Sequence, residues 1–215
     1  MENKCLYCYK EIEPDELITE AGSKGYHKKC SKKFFGKINP PELDFTEDQI
    51  LELAEQVVKS QKTVTGVQPK LSLGLSENSS ELERFTIVGL WGEYILKPQT
   101  KIYANLPEIE DLTMHLAELS KLKTVEHSLI RLKSGQLAYI TKRIDRNKES
   151  KLHMEDMCQI TERLTEHKYN GSYEQIAKAI KKYSSNSGLN VIDFFELVLF
   201  SFLTGNNDMH LKNFS

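Results

Sequence analysis

At 215 residues the chain is long enough for one ordinary domain or two small ones, and its 39% hydrophobic and 28% charged residues are those of a globular protein. A formal net charge of −2 argues against an electrostatic grip on nucleic acid by the whole chain, and no apolar run approaches the roughly 20 residues of a membrane helix. Four cysteines, two of them paired, one beside a histidine and one remote, suit a reducing cytoplasm better than a disulfide framework.

The opening 36 residues stand apart. Cys5-Leu6-Tyr7-Cys8 is followed, after 18 residues, by His27-Lys28-Lys29-Cys30. Two ligands on a tight knuckle and a second close pair are what a tetrahedral zinc ion needs, and so small a module buries little apolar surface without such a staple. Three reduced cysteines and a surface histidine are the alternative. The zinc would be structural, since four protein ligands leave no open position for a substrate. Lys24, Lys28, Lys29, Lys32, Lys33 and Lys37 gather here as a local basic patch or a solvated face.

Asn39-Pro40-Pro41-Glu42 reads as a linker. Thr46 then offers an N-cap to an amphipathic helix carrying Ile50, Leu51, Leu53, Ala54, Val57 and Val58 at helical spacing. Residues 60–70 are polar, with Gly66 and Pro69, and suggest a functional loop. Beyond it the period changes to two: Leu71 to Leu75, Arg84 to Val88 and Trp91 to Lys97 read as an antiparallel meander. An acidic helix start at Pro107-Glu108-Ile109-Glu110-Asp111 leads into Leu112, His115, Leu116 and Leu119, and two strands follow at about 125–132 and 136–144. Helices are expected at about 153–164, 172–183 and 190–203. A β-rich half before an α-rich half predicts an α+β protein, divided at 1–38, 39–62, 63–150 and 151–215.

The run from Phe194 to Phe202 is apolar enough for a buried helix, and it turns abruptly polar at Gly205-Asn206-Asn207. In that loop four residues separate Asp208 from Asn213, the spacing of the protein-kinase catalytic loop. Phosphoryl transfer needs a phosphate cradle, a strand lysine, a helix glutamate to aim it, a base and metal ligands. Gly66 with its polar neighbours, Lys97 at the end of Tyr94-Ile95-Leu96-Lys97, Glu110, Asp208 and Asn213 offer these in the order kinases use. Each has a plainer reading. Lys97 suits an edge-strand guard against aggregation, Glu110 suits a helix dipole, and His210 suits a loop scaffold as well as a second base. Cys158, among Met154, Met157 and Leu164, reads as an inert core residue, and Arg143 with Asp145 as a surface salt-bridge turn or a strand-end cluster.

Five segments together resemble the successive signatures of HipA-type serine/threonine kinases, the toxins of bacterial toxin–antitoxin modules. They are Thr65-Gly66-Val67-Gln68-Pro69-Lys70-Leu71-Ser72-Leu73, Ile95-Leu96-Lys97-Pro98, Lys142-Arg143-Ile144-Asp145-Arg146, Leu152-His153-Met154-Glu155-Asp156-Met157-Cys158-Gln159 and Gly205 to Ser215. The resemblance covers about Thr63 to Ser215 and implies a protein-kinase-like fold: an antiparallel β N-lobe and a partial helical C-lobe, preceded here by a zinc-ribbon-like module. It implies ATP and magnesium as cofactors, Lys97 as the phosphate-contacting lysine, Asp208 as catalytic base and Asn213 as a magnesium ligand. Gly66-Val67-Gln68-Pro69-Lys70 would be the phosphate-binding loop, with Lys70 near the nucleotide and His210 in the same binding set. Autophosphorylation of a serine before that loop silences family members; Thr63 and Thr65 stand at the matching positions. The family's substrates are aminoacyl-tRNA synthetases, its usual partner is a helix-turn-helix antitoxin that carries any contact with DNA, and no membrane is involved.

Two departures from the family bear on this. The zinc-type N-terminus replaces the β-rich subdomain of longer toxins, and the family's second metal-binding aspartate and helical bundle lie beyond the motif at which Ser215 stands. A weak or inactive kinase is therefore expected of this polypeptide, as a fragment or a degenerate member. A non-catalytic nucleotide- or partner-binding module and a zinc-dependent DNA-binding regulator are the alternatives.

Overall fold

The structure, a computed structural model, describes residues 3–60, 70–75, 84–88, 92–146 and 150–215. The chain divides into two compact units, Met1–His115 with Val125–Ile144, and Leu116–Thr124 with Asp145–Ser215. No described helix is long and apolar enough to cross a membrane.

The first unit is built on a five-stranded antiparallel sheet. Before it come two single-turn helices, α1 (Pro14–Leu17) and α2 (Glu20–Ser23), then α3 (Lys28–Phe35) and α4 (Glu47–Ser60). α4 begins where Thr46 and Gln49 exchange side-chain and backbone hydrogen bonds, a capping box that satisfies two donors the helix leaves open. The strands are β1 (Leu71–Leu75), β2 (Phe85–Ile87), β3 (Tyr94–Pro98), β4 (His127–Arg131) and β5 (Leu137–Lys142), with α5 (Leu106–Leu119) between β3 and β4. Their order is β2-β1-β3-β5-β4. The expected meander is thus corrected: β1 lies between β2 and β3, pairing Leu73 with Ile87 on one side and with Tyr94 on the other. An alternating pattern states which face of a strand is buried but not which strand lies beside it.

The opening stretch, distinct in sequence, is not separate in packing. Cys5, Leu6, Ile12, Tyr26, Phe34 and Phe35 form one core with Leu71, Leu73, Phe85, Tyr94, Leu96, Leu129 and Ile140 of the sheet. Phe34 meets Tyr94 edge-on at 5.9 Å between centroids, and Phe85 meets Tyr94 at 5.4 Å. Each such ring contributes about 1.5–3 kcal/mol by leaving water, so the sheet provides the apolar surface that a 38-residue module lacks. α3 is the joint. It turns Cys30, Ser31, Phe34 and Phe35 inward and leaves Lys28, Lys29, Lys32 and Lys33 exposed on the opposite face. The proline pair is also packed, not loose: Pro40 and Pro41 are buried, and the Glu42 carbonyl accepts from Phe85 N at 2.8 Å beside β2.

The second unit is helical. α6 (Met157–Ile160) is a single turn, followed by a 3₁₀ turn (Thr165–His167), α7 (Tyr173–Tyr183) and α8 (Ser187–Leu203). The helix expected at 153–164 is therefore corrected to a fragment. Asp156 and Gln159 form its capping box, so it cannot start earlier, and Glu162 adopts left-handed φ (54°), which ends it. α8 departs from the expectation of burial. Phe194 and Ser201 are buried, whereas Phe195, Phe202 and Leu203 are 64%, 81% and 74% exposed. An apolar run states that cover is favourable, not that a neighbour supplies it.

Candidate functional site

Lys97 stands at the penultimate position of β3, opposite Tyr139 of β5. Its ammonium donates to Glu110 Oε1 and lies 5.5 Å from the centroid of the Tyr139 ring. Both charged side chains are about one-quarter exposed, at 28% and 24%. The pair is open to solvent on one side, so Coulomb attraction alone adds well under ~1 kcal/mol to stability; its value is in fixing the direction of the ammonium. Glu110 arrives because α5 starts just past β3, where Leu106 N donates to the Gln99 side chain at 3.0 Å and Asn105 takes left-handed φ. Lys70 is exposed immediately before β1. Thr63, Thr65, Gly66, Val67 and Gln68 lie outside the described residues.

In the second unit, α8 ends in a Schellman turn. Gly205 takes φ +70° and donates its N–H to Phe202 O, while Asn206 N donates to Ser201 O at 2.8 Å. The chain then anchors itself by its apolar residues: Leu211 and Phe214 are buried among Met157, Cys158, Ile176 and Phe194. Gly171 is necessary here, because a Cβ would come within 2.7 Å of the Leu211 side chain. Between those anchors the polar residues are pushed outward. The Asp208 side chain is 72% exposed, and Asn213 Nδ2 donates to the Asp208 carbonyl and approaches its carboxylate at 3.4 Å. His210 is largely buried, with Nε2 3.6 Å from Asp208 Oδ1 and its ring edge-on to Tyr169. Asp208, His210 and Asn213 thus form one cluster, with an exposed carboxylate and a carboxamide side by side.

Arg143 and Asp145 lie just past the end of β5. The Asp145 carboxylate is buried and paired with Arg146. Cys158 is buried as expected of a core residue, and burial, with the Asp156 charge adding to it, pushes its thiol upward. Met154 and Leu164, its expected companions, are exposed.

Cys5, Cys8, His27 and Cys30 converge, their donor atoms all within 4.8 Å of one another. A tetrahedral zinc with bonds of about 2.3 Å to sulfur and 2.0–2.1 Å to nitrogen has S–S edges of about 3.8 Å and S–N edges of about 3.5 Å. The corresponding separations are 3.6 Å for Cys30–Cys8, 3.6 Å for Cys8–His27 and 3.7 Å for Cys30–His27. His27 Nε2–H donates to the Glu11 carbonyl at 3.0 Å, which leaves Nδ1 bare toward the sulfurs. Burial pushes the Cys5 and Cys30 thiols upward, so a cation is what would make them thiolates. The residues present fit a tetrahedral metal ion.

A second cluster was not read from the sequence. Asp111, wholly buried, accepts from Tyr9 Oη–H and from His127 Nδ1–H at 2.7 Å, with His115 Nδ1 3.4 Å away. His115 faces two carbonyl oxygens, Asp111 O at 2.9 Å and Tyr7 O at 3.0 Å. Tyr9 stacks on His115 at 4.5 Å, and burial followed by the Asp111 hydrogen bond holds its phenol well above the ordinary range, as a donor. These side chains also come within metal-binding reach of each other. The Asp111 carboxylate already accepts two hydrogen bonds and both His115 nitrogens face backbone carbonyls, so the cluster acts as a polar strut between the Tyr9 turn, α5 and β4. The available signal was the i,i+4 spacing of Asp111 and His115, which places both on one helix face.

Residues 62–215 match the HipA-like C-terminal domain family. The chain belongs to that family. It is 29% identical over 225 aligned positions to a Haemophilus influenzae protein named "Putative kinase", covering 99% of this chain and 63% of that one. It is 31% identical over 165 positions to "Putative kinase Y4dM" of Sinorhizobium fredii, covering 71% and 40%. A second protein of that organism, "Putative kinase Y4mE", is 25% identical over 162 positions. The chain thus spans less than two-thirds of the length of these relatives. Within the HipA-like domain fall Lys97, Glu110, Asp208, His210 and Asn213, whereas the cysteine–histidine quartet precedes it.

Proposed function

We propose that this chain carries the nucleotide-binding and catalytic-loop part of a HipA-like serine/threonine protein kinase, with the sheet unit and the helical unit serving as its two lobes. The Lys97–Glu110 pair carries this reading. It joins a strand lysine to a helix glutamate inside a domain of this family, and its relatives are named as kinases. Lys97 would hold phosphate oxygens of ATP with its ammonium directed by Glu110, and Lys70 with the loop before it would complete the cradle. Asp208 would take the proton of the attacking protein hydroxyl, and its exposure gives a hydroxyl access. Asn213 supplies an oxygen ligand for magnesium, which when bound neutralises charge on the phosphates.

The finer expectations belong to the same proposal: an aminoacyl-tRNA synthetase as the phosphorylated protein, a helix-turn-helix antitoxin as partner, a cytoplasmic toxin role, and silencing by phosphorylation of Thr63 or Thr65. The cysteine–histidine quartet is proposed as a structural zinc site in a ribbon-like module. Titration calorimetry with ATP and magnesium tests the nucleotide reading. Lys97→Ala is expected to weaken ATP binding by about tenfold or more, the equivalent of a lost charge-assisted bond. Equal binding by the variant and the unmodified chain, or no binding by either, would overturn it.

A further inference from the structure

The residues between and just after the first two cysteines are tied, one after another, to α5 and β4. The Leu6 carbonyl accepts from Leu129 N at 3.2 Å and from Ser128 Oγ at 3.1 Å. The Tyr7 carbonyl accepts from His115 Nε2 at 3.0 Å. Tyr9, directly after Cys8, holds a left-handed φ of 59°, an unfavourable conformation for a bulky residue. There its ring lies on His115 and its hydroxyl reaches Asp111. Asp111 is the neighbour of Glu110. Successive helix residues point about 100° apart, so α5 presents Asp111 and His115 to the knuckle and Glu110 to Lys97. A rotation or slide of α5 that releases the first contact disturbs the second.

We propose that the metal-binding knuckle is a clamp on α5, and that Tyr9, Asp111 and His115 are positioning residues through which it holds Glu110 against Lys97. The link from knuckle to ion pair stands on geometry within one compact unit; its meaning for phosphoryl transfer rests on the reading of Lys97 given above. The quartet fixes Cys5 and Cys8 to His27 and Cys30, and therefore fixes the backbone of Tyr7 and Tyr9. His127 holds Asp111 from the sheet independently of the metal, so loss of the knuckle loosens α5 without unfolding it. Such a clamp makes the ion pair sensitive to zinc.

The test compares the zinc-loaded chain, the same chain after chelation, and the zinc-loaded variants Tyr9→Phe and Asp111→Asn. Two signals are read by peptide mass spectrometry: amide hydrogen exchange along α5, and acylation of Lys97 by an amine-reactive reagent. Lys133, paired with Asp44 at 2.7 Å on the same unit, is the internal control. Chelation and either substitution should speed Lys97 labelling and α5 exchange by about fivefold, the effect of one lost hydrogen bond, with Lys133 unchanged. The proposal is overturned if chelation speeds exchange in α3 but leaves α5 and Lys97 as they were, or if the chain takes up no zinc. Should Lys97 respond to zinc while the chain binds no ATP, the clamp stands and the nucleotide reading falls. Should ATP binding depend on Lys97 while labelling ignores zinc, the reverse holds.

Discussion

Among the described residues, two largely buried clusters of metal-capable side chains lie in the sheet unit, and they are opposite in chemistry. In Cys5, Cys8, His27 and Cys30 the donor atoms face one another within 4.8 Å, those of Cys8, His27 and Cys30 at 3.6–3.7 Å, with the outer nitrogen of the histidine already occupied by a carbonyl. In Asp111, His115 and His127 each donor is turned to a hydrogen-bond partner that the protein itself provides. Proximity of ligand-type residues is common to both. What separates a site from a strut is whether the polar atoms converge on a shared point or already face hydrogen-bond partners. The first cluster offers a cation four converging donors, and the second is held by its own hydrogen bonds.

The largest expected effect is on the second cluster. Asp111→Ala leaves a phenol and an imidazole N–H buried without an acceptor, and should cost about 3–5 kcal/mol in urea denaturation; a cost below about 1 kcal/mol would erase the distinction, since those donors would then not depend on the carboxylate. Next comes Cys30→Ser. It should abolish stoichiometric zinc, measured by elemental analysis, and remove the stabilisation that bound metal gives, about 2.7 kcal/mol when free zinc is a hundredfold above its dissociation constant. Zinc retained by the variant would show that the quartet is not the site. The smallest effect is that of Tyr9→Phe, which deletes one hydrogen bond for about 0.5–1.5 kcal/mol and should leave the zinc content at one per chain. A loss of zinc in that variant would join the two clusters into a single centre.

Much of this arrangement could be read before any coordinates. Thr46 as an N-cap, the strand at Leu71–Leu75 and the helix around Tyr173–Tyr183 follow from local chemistry, because capping and periodicity are decided within a few residues. The cysteine–histidine spacing pointed to the quartet for the same reason. Sheet order was not legible, since alternation is blind to which neighbour a strand takes. Asp111 was not legible either: in the sequence it is one more acid in the first turns of a helix, and its partners Tyr9 and His127 are distant along the chain. The exposure of α8 is a third case, where hydrophobicity gives a preference and packing decides the outcome.

The hydrogen bonds that join the knuckle to the sheet have a consequence for biogenesis. Tyr26 Oη–H donates to the Leu129 carbonyl across 103 positions, Tyr9 reaches Asp111 across 102, and Ser128 reaches Leu6 across 122. At a synthesis rate of about 5–20 residues per second, the knuckle waits about 6–25 seconds for β4 to be made. During that interval its hydrogen bonds to β4 are missing, whereas the four converging ligands all lie within its own first 30 residues. If the quartet takes up zinc as proposed, a nascent chain that captured the ion early would present β4 with a formed template, whereas one that did not would build knuckle and sheet together, exposing three thiols in the meantime.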